Sequence, residues 1–274
     1  MGYNWYSCPG EIKDYVYTLT KSIKGILKDN YRGVYLHGSL AMGGFNPRRS
    51  DLDVLVITKI FMTTEVKRDL ARFCLHHSYS PFALEISFIC EEHLKHWQHP
   101  CPFDLHYSEF WRERYTEDLL NDTYQFLNDE GHADNDLAAH MTIINHRGVC
   151  VDGDSINEVF PLIPKSDYVS SILGDYVECL ERMEEDPIYC SLNVLRVLLY
   201  LEEGVISSKQ EAGSWGVRVL PKEFAITLNK AIDGYSGWKD TYTFNKFELL
   251  SLRNYLSKSC LLYTSDAADE SLPV

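Results

Sequence analysis

The chain has no paired-cysteine motif, no long apolar run, no internal repeat and a deficit of positive charge, and each absence excludes something. Its cysteines, Cys8, Cys74, Cys90, Cys101, Cys150, Cys179, Cys190 and Cys260, are scattered and form no C-x-x-C. That excludes a zinc ribbon or a compact disulfide framework, and it fits thiols kept reduced in the cytoplasm. No apolar stretch approaches the ~20 residues of a membrane span, so no membrane partner is expected. A basic segment followed by an apolar run is missing near Met1, so no secretory leader is expected. Lys and Arg number 26 against 40 Asp and Glu, a formal net charge of −14. A nucleic-acid partner wants a basic groove, which this balance does not supply; a small cationic ligand suits it better. Pairs such as His76-His77 occur, but the histidines show no metal-ligand spacing.

What is present begins with a core: 45% of the 274 residues are hydrophobic. Within VYLHGSLAMGGFNPRRSDLDVLVIT, an apolar strand from Val34 to Leu36 runs into Gly38-Ser39. A glycine-containing loop follows, and a second strand opens with Asp51-Leu52-Asp53. Strand side chains alternate faces, so Asp51 and Asp53 share one, while Leu52, Val54 and Val56 point into a core. Two carboxylates on one face, beside a loop whose N–H groups can hold phosphate, are a way to place Mg²⁺ against a nucleoside triphosphate. A third carboxylate, Glu85, sits in the apolar strand Phe82–Ile89 on the face opposite Phe82, Leu84, Ile86 and Phe88. Burying it without a partner would be costly. Facing Asp51 and Asp53, it could bind metal or remove a proton from an attacking hydroxyl; the alternative is the exposed face of an edge strand.

The apolar spacing predicts a helix over 10–29, and Thr63-Thr64-Glu65 a cap for a helix reaching about His77. Between Glu117 and Asp136 there are seven acids and no Lys or Arg, either a solvated face or a rim attracting a cation. After Pro161 and Pro164 the pattern turns helical. Ser166 or Asp167 is the expected N-cap of a helix whose stripe runs from Val169 to Met183. A helix over Leu192–Leu201 should end at Gly204, and Ser208-Lys-Gln-Glu211 reads as a capping box. Further helices are expected over 221–235 and 244–258. The fold class is therefore α+β, a mixed-sheet domain over 1–157 followed by an all-α domain over 158–263. The small, polar, acidic segment 264–274 is expected to be a disordered tail.

The apolar residue, Gly38-Ser39, the spacer and Asp51-x-Asp53 resemble the nucleotidyltransferase superfamily that includes DNA polymerase beta. In the helical half, DPIYCSLNVLRVLLYLEEGVISSKQEAGSWGVRVL carries Asp186, Arg196, Lys209 and Trp215 in the order found in the aminoglycoside adenylyltransferases that modify streptomycin and spectinomycin. The resemblance spans about residues 10–255. It implies Mg²⁺-dependent transfer of AMP from ATP to a hydroxyl of such an antibiotic, releasing pyrophosphate. Asp51, Asp53 and Glu85 would be the metal and catalytic residues. Gly38, Ser39 and Ser50, with Arg196 and Lys209, would bind the nucleotide, and Trp111, Asp186 and Glu85 the drug. Phe110 rivals Trp111, because the spacing from Glu85 differs by one residue from the family's. The resemblance implies a monomer. Lys209 has a separate argument: a helix N-terminus disfavours a cation unless an anion such as phosphate is held there. Two other functions fit the same residues less closely: nucleotidyl transfer to a protein hydroxyl or another small metabolite, and nucleotide or drug binding without catalysis.

Overall fold

The computed structural model describes residues 2–127, 132–237 and 242–269, with residues 260–269 described by backbone alone. The chain divides into two compact units, Gly2–Ser171 and one beginning at Ile172.

In the first unit, α1 (Gly10–Leu27) buries the stripe Ile12, Val16, Leu19, Ile23 and Leu27. It is followed by β1 (Tyr31–Leu36), α2 (Gly38–Met42), β2 (Leu52–Thr58), α3 (Thr64–His77), β3 (Leu84–Cys90) and α4 (Glu91–Lys95). Then come β4 (Cys101–Pro102), β5 (Leu105–Tyr107), α5 (Arg112–Asn121), β6 (Ala133–Asp134), α6 (Leu137–Arg147), β7 (Val149–Gly153) and α7 (Ile156–Val159). Thr63 caps α3 by accepting the Val66 N–H. The main sheet runs β5-β3-β2-β1-β7. Only β2 and β3 pair in parallel there, and α3 supplies the crossover that a parallel pair requires.

Period-two alternation gives this sheet two unlike faces. Val34, Leu36, Leu52, Val54, Val56, Leu84, Ile86 and Phe88 join the stripe of α1 and Leu70, Phe73 and Cys74 of α3 in one core. The other face carries Tyr35, Leu55, Ile57 and Ile89 against Leu137, Met141 and Ile144 of α6. Asp53, Glu85 and Ser87 continue that second face on the same strands. It is therefore apolar under α6 and polar towards the start of β2 and β3.

The acidic run is not one surface. Asp118, fully buried on α5, accepts from Thr123 Oγ1 at 2.7 Å and Gln125 N at 3.0 Å through Oδ1. Its Oδ2 accepts from Phe126 N at 2.7 Å and Leu127 N at 3.1 Å. Asp122 pairs with Arg68 at 2.9 Å, while Asp129 and Glu130 lie outside the described residues. Asp118 is thus neither a solvated acid nor part of a rim, but the staple that fixes the chain leaving α5. Asp118→Ala removes the acceptor of three backbone donors, of which Leu127 N is buried, and is expected to cost about 2–4 kcal/mol. A urea midpoint lowered at unchanged slope would show it; a loss below about 1 kcal/mol would contradict the staple.

Helix α8 (Lys165–Glu181) spans the division between the units. It starts earlier than the sequence suggests. Asp167 N and Tyr168 N both donate to Pro164 O, so neither Ser166 nor Asp167 is the cap. Asp167 instead accepts the Trp97 indole N–H at 2.8 Å.

The second unit is built around α9 (Pro187–Glu203), which packs against α10 (Lys209–Val219), α11 (Ala225–Tyr235) and α12 (Lys246–Asp269). Most of α9 between Cys190 and Leu199 is buried, as a central helix requires. Gly204 ends it at φ 69°, a left-handed cap natural to glycine. Ser208 and Glu211 form the capping box of α10. The backbone of α12 stays helical as far as Asp269, into the segment expected as a tail, and residues 270–274 lie outside the described residues. No helix among the described residues is long and apolar enough to cross a membrane, and Cys8, Cys74, Cys90, Cys101, Cys150, Cys179 and Cys190 are all free.

Candidate active site

In the first unit, the parallel register of β2 and β3 sets Asp53 beside Glu85, with backbones about 4.8 Å apart. Like charges directly paired on a sheet destabilise the fold. Such a pair makes this end of the sheet the candidate site. Asp51 is exposed, one residue before β2. The turn from β1 into α2 closes over Asp53. Ser39 N–H donates to Asp53 Oδ2 at 3.2 Å. Gly38 has φ +56°, and a Cβ there would lie 1.8 Å from Asp53 Oδ2. Any larger residue would displace the carboxylate, so Gly38 is required by close approach as well as by its backbone. Ser39 Oγ is buried with no hydrogen-bond partner among the described residues, so its hydrogen-bonding capacity is unused. Ser50 is turned into its own loop, its Oγ accepting from Asn46 N at 2.9 Å. Arg48 and Arg49 are exposed.

Three histidines that spacing did not reveal flank the pair. His37, directly before Gly38, is buried and stacks on His140 of α6 with ring centroids 4.4 Å apart. Burial, then the neighbouring His140, holds its pKa well below the usual histidine range. His140 Nε2 lies 4.0 Å from Glu85 Oε1. His106 of β5 shares a 2.8 Å hydrogen bond with Ser87 Oγ, and burial lowers its pKa too, against the opposing pull of Glu85. Only His37 carried a usable signal, its place between a strand and Gly-Ser. Trp111 stacks on Tyr115 at 5.6 Å. It reaches the polar face through a run of rings, His132, Phe103 and His106, at 5.8, 5.6 and 5.9 Å. Phe110, the rival aromatic, is 68% exposed with Arg114 over its ring.

In the second unit, Asp186, Tyr189, Asn193 and Arg196 fall on one face of α9 by their spacing. Asp186 caps the helix, Oδ1 accepting from Tyr189 N at 3.1 Å, with Pro187 at the first helical position. Lys209 is the first residue of α10, and its Nζ sits 3.8 Å over the Tyr189 ring. Arg196 Nε donates to Ser207 O at 3.2 Å and Nη1 to Asn193 Oδ1 at 3.1 Å. Both cations thus flank the N-terminus of α10, where the dipole favours an anion.

Comparison with known proteins gives this chemistry its class. Residues 20–117 match the nucleotidyltransferase domain, and residues 158–259 the aminoglycoside adenylyltransferase C-terminal domain. The chain belongs to the aminoglycoside adenylyltransferase family of nucleotidyltransferases. A spectinomycin 9-adenylyltransferase from Staphylococcus aureus is 24% identical over 91% of this chain and 97% of its own. One from Campylobacter jejuni is 26% identical over 85% and 89%. An aminoglycoside (3'') (9) adenylyltransferase from Rhizobium radiobacter is 23% identical over 76% and 77%. The fold is similar to a crystal structure of an Enterococcus spectinomycin adenyltransferase with ATP and spectinomycin, with a TM-score of 0.75, 23% identity, and 90% and 98% of the two chains covered.

Proposed function

We propose that this enzyme transfers AMP from ATP to a hydroxyl of spectinomycin, and that its action confers resistance. The observation that carries the reading is the Asp53–Glu85 pair under the Gly38-Ser39 turn, in a chain that also holds the aminoglycoside adenylyltransferase C-terminal domain.

Asp51, Asp53 and Glu85 would hold Mg²⁺. Among the described residues no three acidic, histidine or cysteine side chains are arranged to hold a metal by themselves. Substrate phosphates would complete the shell of such an ion. When bound, Mg²⁺ offsets charge on the entering and leaving oxygens. Gly38 and Ser39 would cradle the phosphates, the unpartnered Ser39 hydroxyl donating to one of their oxygens, with Ser50 beside them. Glu85 takes the proton from the drug hydroxyl as its oxygen bonds to the α-phosphorus and the bond to pyrophosphate breaks. Arg196 and Lys209 would neutralise the departing pyrophosphate, and Trp111 and Asp186 would contact the drug. Trp111 lies near where the family has an aromatic that stacks on streptomycin, which makes streptomycin the second drug to test. The same reading has the protein acting as a cytoplasmic monomer with no nucleic-acid partner.

Expression in a susceptible host tests it. The inhibitory concentration of spectinomycin should rise, and should not rise with the Asp53→Asn protein. No rise with the unaltered protein would redirect the reading to a protein hydroxyl or another metabolite.

A further inference from the structure

Arg196 is held by a residue that neither the motif nor the proposed chemistry uses. Asn193 lies one turn earlier on α9 and is 2% exposed. Its Nδ2 donates to Asp175 Oδ2 of α8 at 2.6 Å, and its Oδ1 accepts from Arg196 Nη1 at 3.1 Å. The amide has one possible orientation here. A carboxylate only accepts and a guanidinium only donates, so nitrogen must face Asp175 and oxygen must face Arg196. With Arg196 Nε on Ser207 O, two of the three guanidinium nitrogens are held and Nη2 remains for a ligand.

The order of these groups has a consequence for charge. A carboxylate at position 193 would neutralise the guanidinium and set a second buried anion against Asp175, whose Oδ2 lies 2.6 Å from the amide nitrogen. An amide fixes the geometry and leaves the positive charge available, with the anion Asp175 kept one side chain further away. We propose that Asn193 is a positioning residue for Arg196, aiming an un-neutralised guanidinium at the nucleotide's phosphates. This rests on the reading that Arg196 meets the triphosphate.

The test compares Asn193→Asp, Asn193→Leu and Arg196→Ala by steady-state kinetics with ATP and spectinomycin. Asn193→Asp keeps an acceptor for Arg196 and adds a charge. It should raise KM for ATP about tenfold, the scale of one charge-assisted hydrogen bond, with KM for spectinomycin unchanged. Asn193→Leu should do the same if it folds; if it does not, Asn193→Asp decides. Because Asn193→Asp also opposes Asp175, its melting temperature falls under either reading; a merely structural role would move both KM values together, and that result would overturn the proposal. An ATP KM that rises in Arg196→Ala but stays at the starting value in Asn193→Asp would overturn it alone. An unchanged ATP KM in Arg196→Ala would remove Arg196 from the phosphate role, and the inference with it.

Discussion

Asp53→Asn is expected to lower turnover by about a thousandfold or more while making the fold slightly more stable. Both effects come from one geometry. Asp53 and Glu85 are register neighbours on parallel strands, two carboxylates held where like charges repel. Asparagine keeps an oxygen for the Ser39 N–H, which now meets Asp53 Oδ2 at 3.2 Å, and the Gly38 turn can close as before. What it loses is the charge that binds the metal and, through it, the triphosphate; removing one such group from a preorganised site typically costs about 10²–10³ or more in rate. Removing one of two paired like charges should raise stability by roughly 0.2–1 kcal/mol. Pyrophosphate release and thermal melting, measured on the same preparation, separate the outcomes. Activity lost with a raised or unchanged melting temperature fits a functional carboxylate. Activity and melting temperature falling together would make Asp53 a structural residue.

Glu85→Gln should leave ATP binding intact and remove most turnover. The side chain is 35% exposed at the polar end of β3. It is therefore accessible to a substrate and supported by its neighbours. Glutamine preserves size and hydrogen-bonding shape but cannot accept a proton, and loss of a general base typically costs about 10²–10⁴ in rate. Titration of ATP by fluorescence or calorimetry, alongside single-turnover transfer, resolves the two quantities. Retained turnover would take Glu85 out of the base role. Loss of ATP binding with turnover would assign it mainly to the metal.

Much of this site is legible in the sequence because it depends on strand alternation, which has a period of two and few exceptions. Once Asp53 and Glu85 are each placed on a strand, their faces follow. Register, however, is a tertiary fact: nothing local says that Asp53 pairs with Glu85 rather than with Ser87. The helical caps at Thr63, Ser208 and Gly204 were legible for the same local reason, since side-chain oxygens and glycine satisfy the ends of their own helices. The start of α8 is not legible locally, because a good capping residue, Asp167, is committed to Trp97, a partner distant in sequence. Asp118 was hidden by its charge. A run of acids looks solvated, and only the return of residues 123–127 over the end of α5 shows one of them buried with four donors. The imidazoles around Glu85 come from the end of β1, from β5 and from α6. No sequence spacing brings such residues together.

The most direct test is to incubate the purified protein with ATP, Mg²⁺ and spectinomycin, then examine the drug by mass spectrometry while following pyrophosphate. The account requires spectinomycin carrying one added AMP, formed in step with pyrophosphate, and neither product from Asp53→Asn. ATP bound in a Mg²⁺-dependent manner with the drug recovered unmodified would contradict it.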